Sequence, residues 1–166
     1  MKALKYLFRK GMLPLYCLAA AVISLVFALC AGGGSAVFLR LLPMVLCILL
    51  LLRGLDDHAD FEKDAGTKTQ YLSKQGLLML ILLAAVCFIS LNLLFYGAKG
   101  FFSLAAVGFF LLMQKLPLLK TFCLMLAFLY FFCLEGVNIG VMQIMVLLGC
   151  GAASVIFHML KRRKRK

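Results

Sequence analysis

An all-α polytopic bundle of about six transmembrane helices, with both termini on the cytoplasmic side, is the fold this sequence predicts. Three observations carry it. First, 65% of the 166 residues are hydrophobic, against ~45–50% in an ordinary soluble domain. A water-soluble domain of this length could not hide so much apolar surface, and a disordered chain must be apolar-poor. Second, the apolar residues fall into runs close to the ~20 residues that cross a bilayer as a helix. Third, the 18 Lys and Arg against 6 Asp and Glu are distributed unevenly along the chain, as the positive-inside rule requires.

The elements follow in order. Lys2, Lys5, Arg9 and Lys10 precede a first apolar run from about Met12 to Cys30. Such a basic start and apolar stretch also fits a secretory signal, but the long apolar segments downstream favour a retained span. Gly32, Gly33 and Gly34 read as an inter-span turn, and a second span follows at about Ala36–Leu52, with Pro43 expected to kink it. A polar loop, 53–75, comes next. Further spans are expected at about Gly76–Tyr96, Phe101–Leu116, Leu118–Leu134 and Asn138–Leu160. Lys115, Pro117 and Lys120 mark the turn between the fourth and fifth, which are short for full crossings. A five-span arrangement, with one of them re-entrant, is the alternative. The chain is thus read as one membrane domain, 1–166, in what is expected to be a bacterial cytoplasmic membrane.

Charge orients the bundle. With both termini inside, 16 basic residues lie on the cytoplasmic side and only Arg40 and Lys99 lie outside. The basic run 161–166 reads as a stop-transfer anchor and solvated tail, with contact to anionic lipid headgroups as the alternative. Topogenic charge accounts for the basic balance without nucleic acid. The seven cysteines lie in apolar stretches without metal-ligand spacing, so they read as small buried hydrophobes. No nucleophile–base pair or glycine-rich phosphate loop is present. His58 and His158 stand alone, and Glu135 is expected at a span end on the far side.

One constellation carries chemistry. Five of the six acids in the chain lie within Asp56, Asp57, Asp60, Glu62 and Asp64. If the second helix continues through them at about 100° per residue, then Arg53, Asp56, Asp57, Asp60 and Asp64 fall within about 100° of one another. His58 and Glu62 point elsewhere. Like charges at this spacing repel, and more so beside a low-dielectric membrane, so nothing about folding asks for such a face. A divalent cation relieves it: Mg²⁺ takes carboxylate oxygens, keeps waters and bridges to phosphate. Arg53 can add a phosphate contact.

The stretch Asp56-Asp57-His58-Ala59-Asp60-Phe61-Glu62-Lys63-Asp64 resembles the first aspartate-rich motif, N-D-x-x-D-x-x-x-D, of the UbiA-type intramembrane prenyltransferases. Asp57, Asp60 and Asp64 match its three aspartates, and Asp56 stands where the family usually has asparagine. The resemblance covers roughly residues 12–96. It implies a helical membrane bundle with a cytoplasm-facing cavity and a prenyl group transferred to an acceptor that is often aromatic. It also implies Mg²⁺ held by Asp57, Asp60 and Asp64, and the diphosphate of an isoprenoid donor, with Asp56 and Arg53 assisting at the diphosphate. The family's basic Arg-Pro pair in the following loop is absent here. So is its second aspartate-rich motif, for no Asp follows Asp64 and the chain ends after about six spans rather than about nine. A partner subunit or a homodimer supplying two first motifs would complete the set. CDP-alcohol phosphotransferases share a cytoplasmic acidic motif, but this chain lacks their D-G-x-x-A-R segment. From a different class, the alternative is a non-enzymatic membrane protein whose acidic loop binds cations or a partner subunit.

Overall fold

The computed structural model describes residues 6–7, 12–62, 72–113, 123–136 and 140–163. Among these residues there are six α-helices and no strand: α1 Met12–Ala31, α2 Gly34–Ala59, α3 Lys74–Tyr96, α4 Phe102–Met113, α5 Cys123–Glu135 and α6 Val141–Arg163. A 3₁₀ turn, Gly97–Phe101, joins α3 to α4. Three stretches are long and apolar enough to cross a membrane: Leu13–Ala31, Gly34–Ala59, and Lys74–Leu112, which runs through the 3₁₀ turn. Helices α4 and α5, of 12 and 13 residues, rise only about 18–20 Å against a ~30 Å hydrocarbon core. Residues 114–122 between them lie outside the described residues.

Helix α2 is the middle of the bundle and packs most extensively on α3 and α1. Its buried residues Val37, Leu41, Met44, Ile48 and Leu51 alternate at spacings of four and three, a seam that keeps facing its neighbours along the helix. Leu77, Ile81, Ala84, Phe88 and Asn92 form the matching seam on α3. Small residues let the backbones approach, which matters where lipid removes the hydrophobic drive between helices. Gly54 shows this directly, since a Cβ there would meet Ile81 Cγ1 at 2.9 Å. On α5, Phe132 stacks on Phe27 of α1 with centroids 4.6 Å apart, and Phe131 meets the same ring edge-on at 5.9 Å.

The outward faces are apolar. Leu15, Leu18, Val22, Leu25 and Leu29, along one side of α1, are each more than half exposed. In water such a stripe would be an aggregation surface; in a bilayer it is the lipid-facing wall. The glycine turn expected at 32–34 is present, with positive φ at Gly32 and Gly34, and it returns α2 antiparallel to α1.

Two differences from the sequence reading concern α2. It begins at Gly34 and continues through Pro43 to Ala59, so the first seven residues of the expected loop 53–75 are helical. Two interactions favour the extension. Arg53 and Asp57 pair across one helical turn, and Gly54 seats this segment against α3.

Candidate functional site

The helical ends sort the polar residues into two groups. At one end lie Tyr6, Arg53 through Glu62, and the start of α3. At the other lie the Gly32–Gly34 turn, Arg40, Tyr96, Lys99 and Glu135. Among the described residues, Arg40 and Lys99 thus lie at the end opposite Arg53 and Lys74.

At the first end α2 continues to Ala59, so Arg53, Asp56 and Asp57 are helical and Asp60 is the C-cap, while the rest of the motif is not on this helix or lies outside the described residues. Arg53 grips Asp57 one turn later with two contacts, Nε to Oδ2 at 3.1 Å and Nη2 to Oδ1 at 2.6 Å. Its Nη1 lies 3.9 Å from Asp56 Oδ2. Asp60 caps the helix, its N–H donating to the Asp56 carbonyl at 3.0 Å. Arg53, Asp56, Asp57 and Asp60 thus occupy the last turns of one helix. Asp64, the remaining expected metal ligand, lies outside the described residues, as do residues 164–166 of the basic tail.

This placement is electrostatically costly. A helix C-terminus already carries about half a negative charge, and carboxylates there are unfavourable by a few tenths of a kcal/mol or more each. Asp56 and Asp57 share Arg53 at this turn, and Asp60 follows as the C-cap. Glu62 points away from this group and pairs with Lys74 Nζ at 2.6 Å, which holds its carboxyl below the usual range. Lys74 opens α3, whose N-cap Ser73 accepts from Gly76 N–H at 3.1 Å.

Sequence reasoning missed one member of this site. Tyr6 is buried, and its hydroxyl donates to Asp57 Oδ2 at 2.6 Å. Burial first, and then the Asp57 carboxylate, push its phenol above the ordinary value of 10.0. A tyrosine 51 residues away from its partner leaves no periodic signal.

The donor set was compared with what Mg²⁺ needs. Among the described residues no three His, Cys, Asp or Glu side chains converge as metal ligands, so these residues form no dedicated cage. Mg²⁺ that arrives with a diphosphate needs only one or two carboxylates, because phosphate and water fill its remaining positions. Asp56 and Asp60, one turn apart, are the carboxylates nearest that role, although each already interacts with other protein groups; Asp57 is engaged by Arg53 and Tyr6.

The opposite end holds a second polar group that sequence reading left as isolated residues. Glu135 accepts from Tyr96 Oη at 2.5 Å and pairs with Arg40 Nη2 at 3.4 Å. Arg40 lies over the Tyr96 ring, 5.8 Å from its centroid. Deeper, Tyr130 Oη donates to Asn92 Oδ1 at 2.7 Å, and Asn92 Nδ2 donates to the Phe88 carbonyl at 2.8 Å. Gln143 at the start of α6 donates to the Cys30 carbonyl at 2.8 Å. Each bond joins groups that would otherwise be stranded in an apolar medium. Compared with known proteins, the chain matches no family model, no curated protein and no solved structure.

Proposed function

We propose that this chain is a multi-pass membrane protein, six spans with both termini cytoplasmic, that binds Mg²⁺ and an isoprenoid diphosphate at the C-terminal turn of α2. In this reading it is a shortened relative of the UbiA-type prenyltransferases. One observation supports the proposal: α2 stays helical to Ala59, so Arg53, Asp56 and Asp57 lie on its last turns and Asp60 caps it, at an end where the helix dipole already disfavours carboxylates. A bound cation turns that cost into attraction. Arg53, steered by Asp57, offers its remaining N–H groups to a phosphate oxygen. Asp56 and Asp60 hold the metal side of the headgroup, with Asp64 following in sequence. When bound, Mg²⁺ neutralises the diphosphate leaving group as the allylic C–O bond breaks. The prenyl tail lies along the apolar helix faces. A second aspartate-rich motif, on a second copy or a partner subunit, would supply the rest of a catalytic site.

A second reading is favoured by the Arg53–Asp57–Tyr6 contacts. They satisfy one another without any ligand, as a purely structural clasp in a non-enzymatic membrane protein would. Titrating the purified full chain in lipid nanodiscs with farnesyl diphosphate separates the two. Our reading requires saturable binding that is lost on chelating Mg²⁺. Binding indifferent to chelation, or none at all, leaves the clasp alone.

A further inference from the structure

We propose that Arg40 binds the phosphate of an anionic phospholipid at the end of the bundle opposite the aspartates. This site is independent of the diphosphate reading and shares no residue with it.

An arginine carries five N–H donors in one plane and no acceptor. Among the described residues Arg40 finds one acceptor, Glu135 Oε2, at a long 3.4 Å from Nη2. Its Nε is buried and has no partner among those residues. Glu135 is also committed elsewhere, because its other oxygen accepts from the Tyr96 hydroxyl. The Tyr96 ring lies against the guanidinium, with its centroid 5.8 Å from Cζ. Such a contact covers the face of the cation and leaves its N–H groups pointing along the plane. The Arg40 side chain is 34% exposed. A cation so incompletely matched within a span is expensive, and an acceptor from outside the chain completes it.

Depth and surroundings identify that acceptor. Arg40 stands six residues, about 9 Å, inside the start of α2, and its side chain leans toward that start. The 26 residues of α2 rise about 39 Å against a ~30 Å hydrocarbon core. The guanidinium therefore lies near the boundary where headgroup phosphates begin, and arginines at that depth reach outward to them. Leu39, Leu94, Phe101 and Phe102 at this end are each more than 60% exposed, an apolar rim that acyl chains can cover. Lys99, exposed and three residues beyond Tyr96, adds a second cation. Against these two cations stands one acid, Glu135, so the described residues of this end carry a formal charge of +1. A phosphodiester presents two oxygens to the planar fork, and its single negative charge matches that surplus.

The sequence contains no tryptophan, so Leu39→Trp places a local reporter on an exposed residue next to Arg40. The full chain carrying it is reconstituted in phosphatidylcholine nanodiscs and quenched with brominated phosphatidylglycerol or brominated phosphatidylcholine. Phosphatidylglycerol is expected to quench at about fivefold lower mole fraction, the contribution of one cation near the surface. In the same background Arg40→Gln should abolish that preference. Arg40→Lys keeps the charge and loses the fork, so it should reduce the preference; full retention overturns the site and leaves only diffuse attraction. Should Arg40→Gln fold poorly, Glu135→Gln decides independently. Its amide oxygen still accepts from Tyr96 while the competing charge is gone, so the preference must rise. No rise, or no preference in the parent protein, overturns the proposal. Excess inorganic phosphate at matched ionic strength separates the sources of phosphate. An unchanged preference supports the lipid, and an erased one contradicts it in favour of soluble phosphate.

Discussion

The two ends of the bundle use the same chemical vocabulary to opposite effect. At the Glu135 end one carboxylate meets one guanidinium, one phenol caps that carboxylate, and a second phenol satisfies a buried amide. Arg40 and Glu135 pair one to one, with Arg40 Nε left without a partner among the described residues and Lys99 at the same end. At the Arg53 end Asp56 and Asp57 share a single arginine, and one phenol adds to Asp57. The first arrangement is close to what folding in lipid demands, since every polar group must find a partner. The second gathers several carboxylates at the helix end where the dipole disfavours them.

This contrast can be broken in several places. The largest expected effect is at the turn that shapes the Glu135 end. A Cβ on Gly100 would lie 2.5 Å from the Asn92 carbonyl oxygen and 2.7 Å from Leu93 N, backbone atoms that cannot swing aside. Gly100→Ala should therefore cost about 3 kcal/mol, read as a lower unfolding midpoint in detergent. Next, Glu135→Ala removes the only acid near Arg40 at this end. Because the Arg40 side chain is 34% exposed, the loss should be about 2 kcal/mol, below that of breaking a fully buried pair. Tyr130→Phe takes the donor from fully buried Asn92 and should cost about 1 kcal/mol. All three should leave diphosphate binding unchanged in the protein that remains folded.

At the Arg53 end the pattern should invert. Asp57→Asn should cost about 1 kcal/mol of stability, since the amide oxygen can still accept from Tyr6 and Arg53 Nε while the Arg53 Nη2 contact is lost, but should weaken Mg²⁺-dependent binding more than tenfold. A stability loss as large as that of Glu135→Ala, with binding intact, would erase the distinction between the ends. Smallest of all, Lys74→Ala should change neither quantity measurably, because the Glu62 partner is fully solvated. A pH series sharpens the same point. The Tyr6 phenol is raised in the folded state, so its contribution to stability is complete below pH 10.0 and falls as pH rises beyond it. Tyr6→Phe should flatten that alkaline loss.

Much of this was legible in the sequence, and for identifiable reasons. Apolar runs and the placement of Arg40 and Lys99 foretold an all-helical chain with one sparsely charged end. The i,i+4 spacing of Asp56 and Asp60 pointed to a common face if α2 continued; the helix does continue past Leu52 but ends at Ala59, with Asp60 as its cap. The boundary of α2 was less legible, because Arg53 and the aspartates read as loop by polarity. Only a tertiary neighbour, Ile81 against Gly54, shows why the helix persists. Tyr6 and the Arg40–Glu135–Tyr96 group were invisible, because each joins residues tens of positions apart. Single tyrosines and a terminal glutamate carry no periodicity to reveal such contacts.

The most direct measurement replaces Mg²⁺ with Mn²⁺ and records the electron paramagnetic resonance of the full chain in nanodiscs with farnesyl diphosphate. The account predicts protein-bound Mn²⁺ that appears only with the diphosphate present and disappears in the double variant Asp56→Asn, Asp60→Asn. A signal from free or diphosphate-bound Mn²⁺ alone, or an unchanged bound signal in that variant, would contradict it.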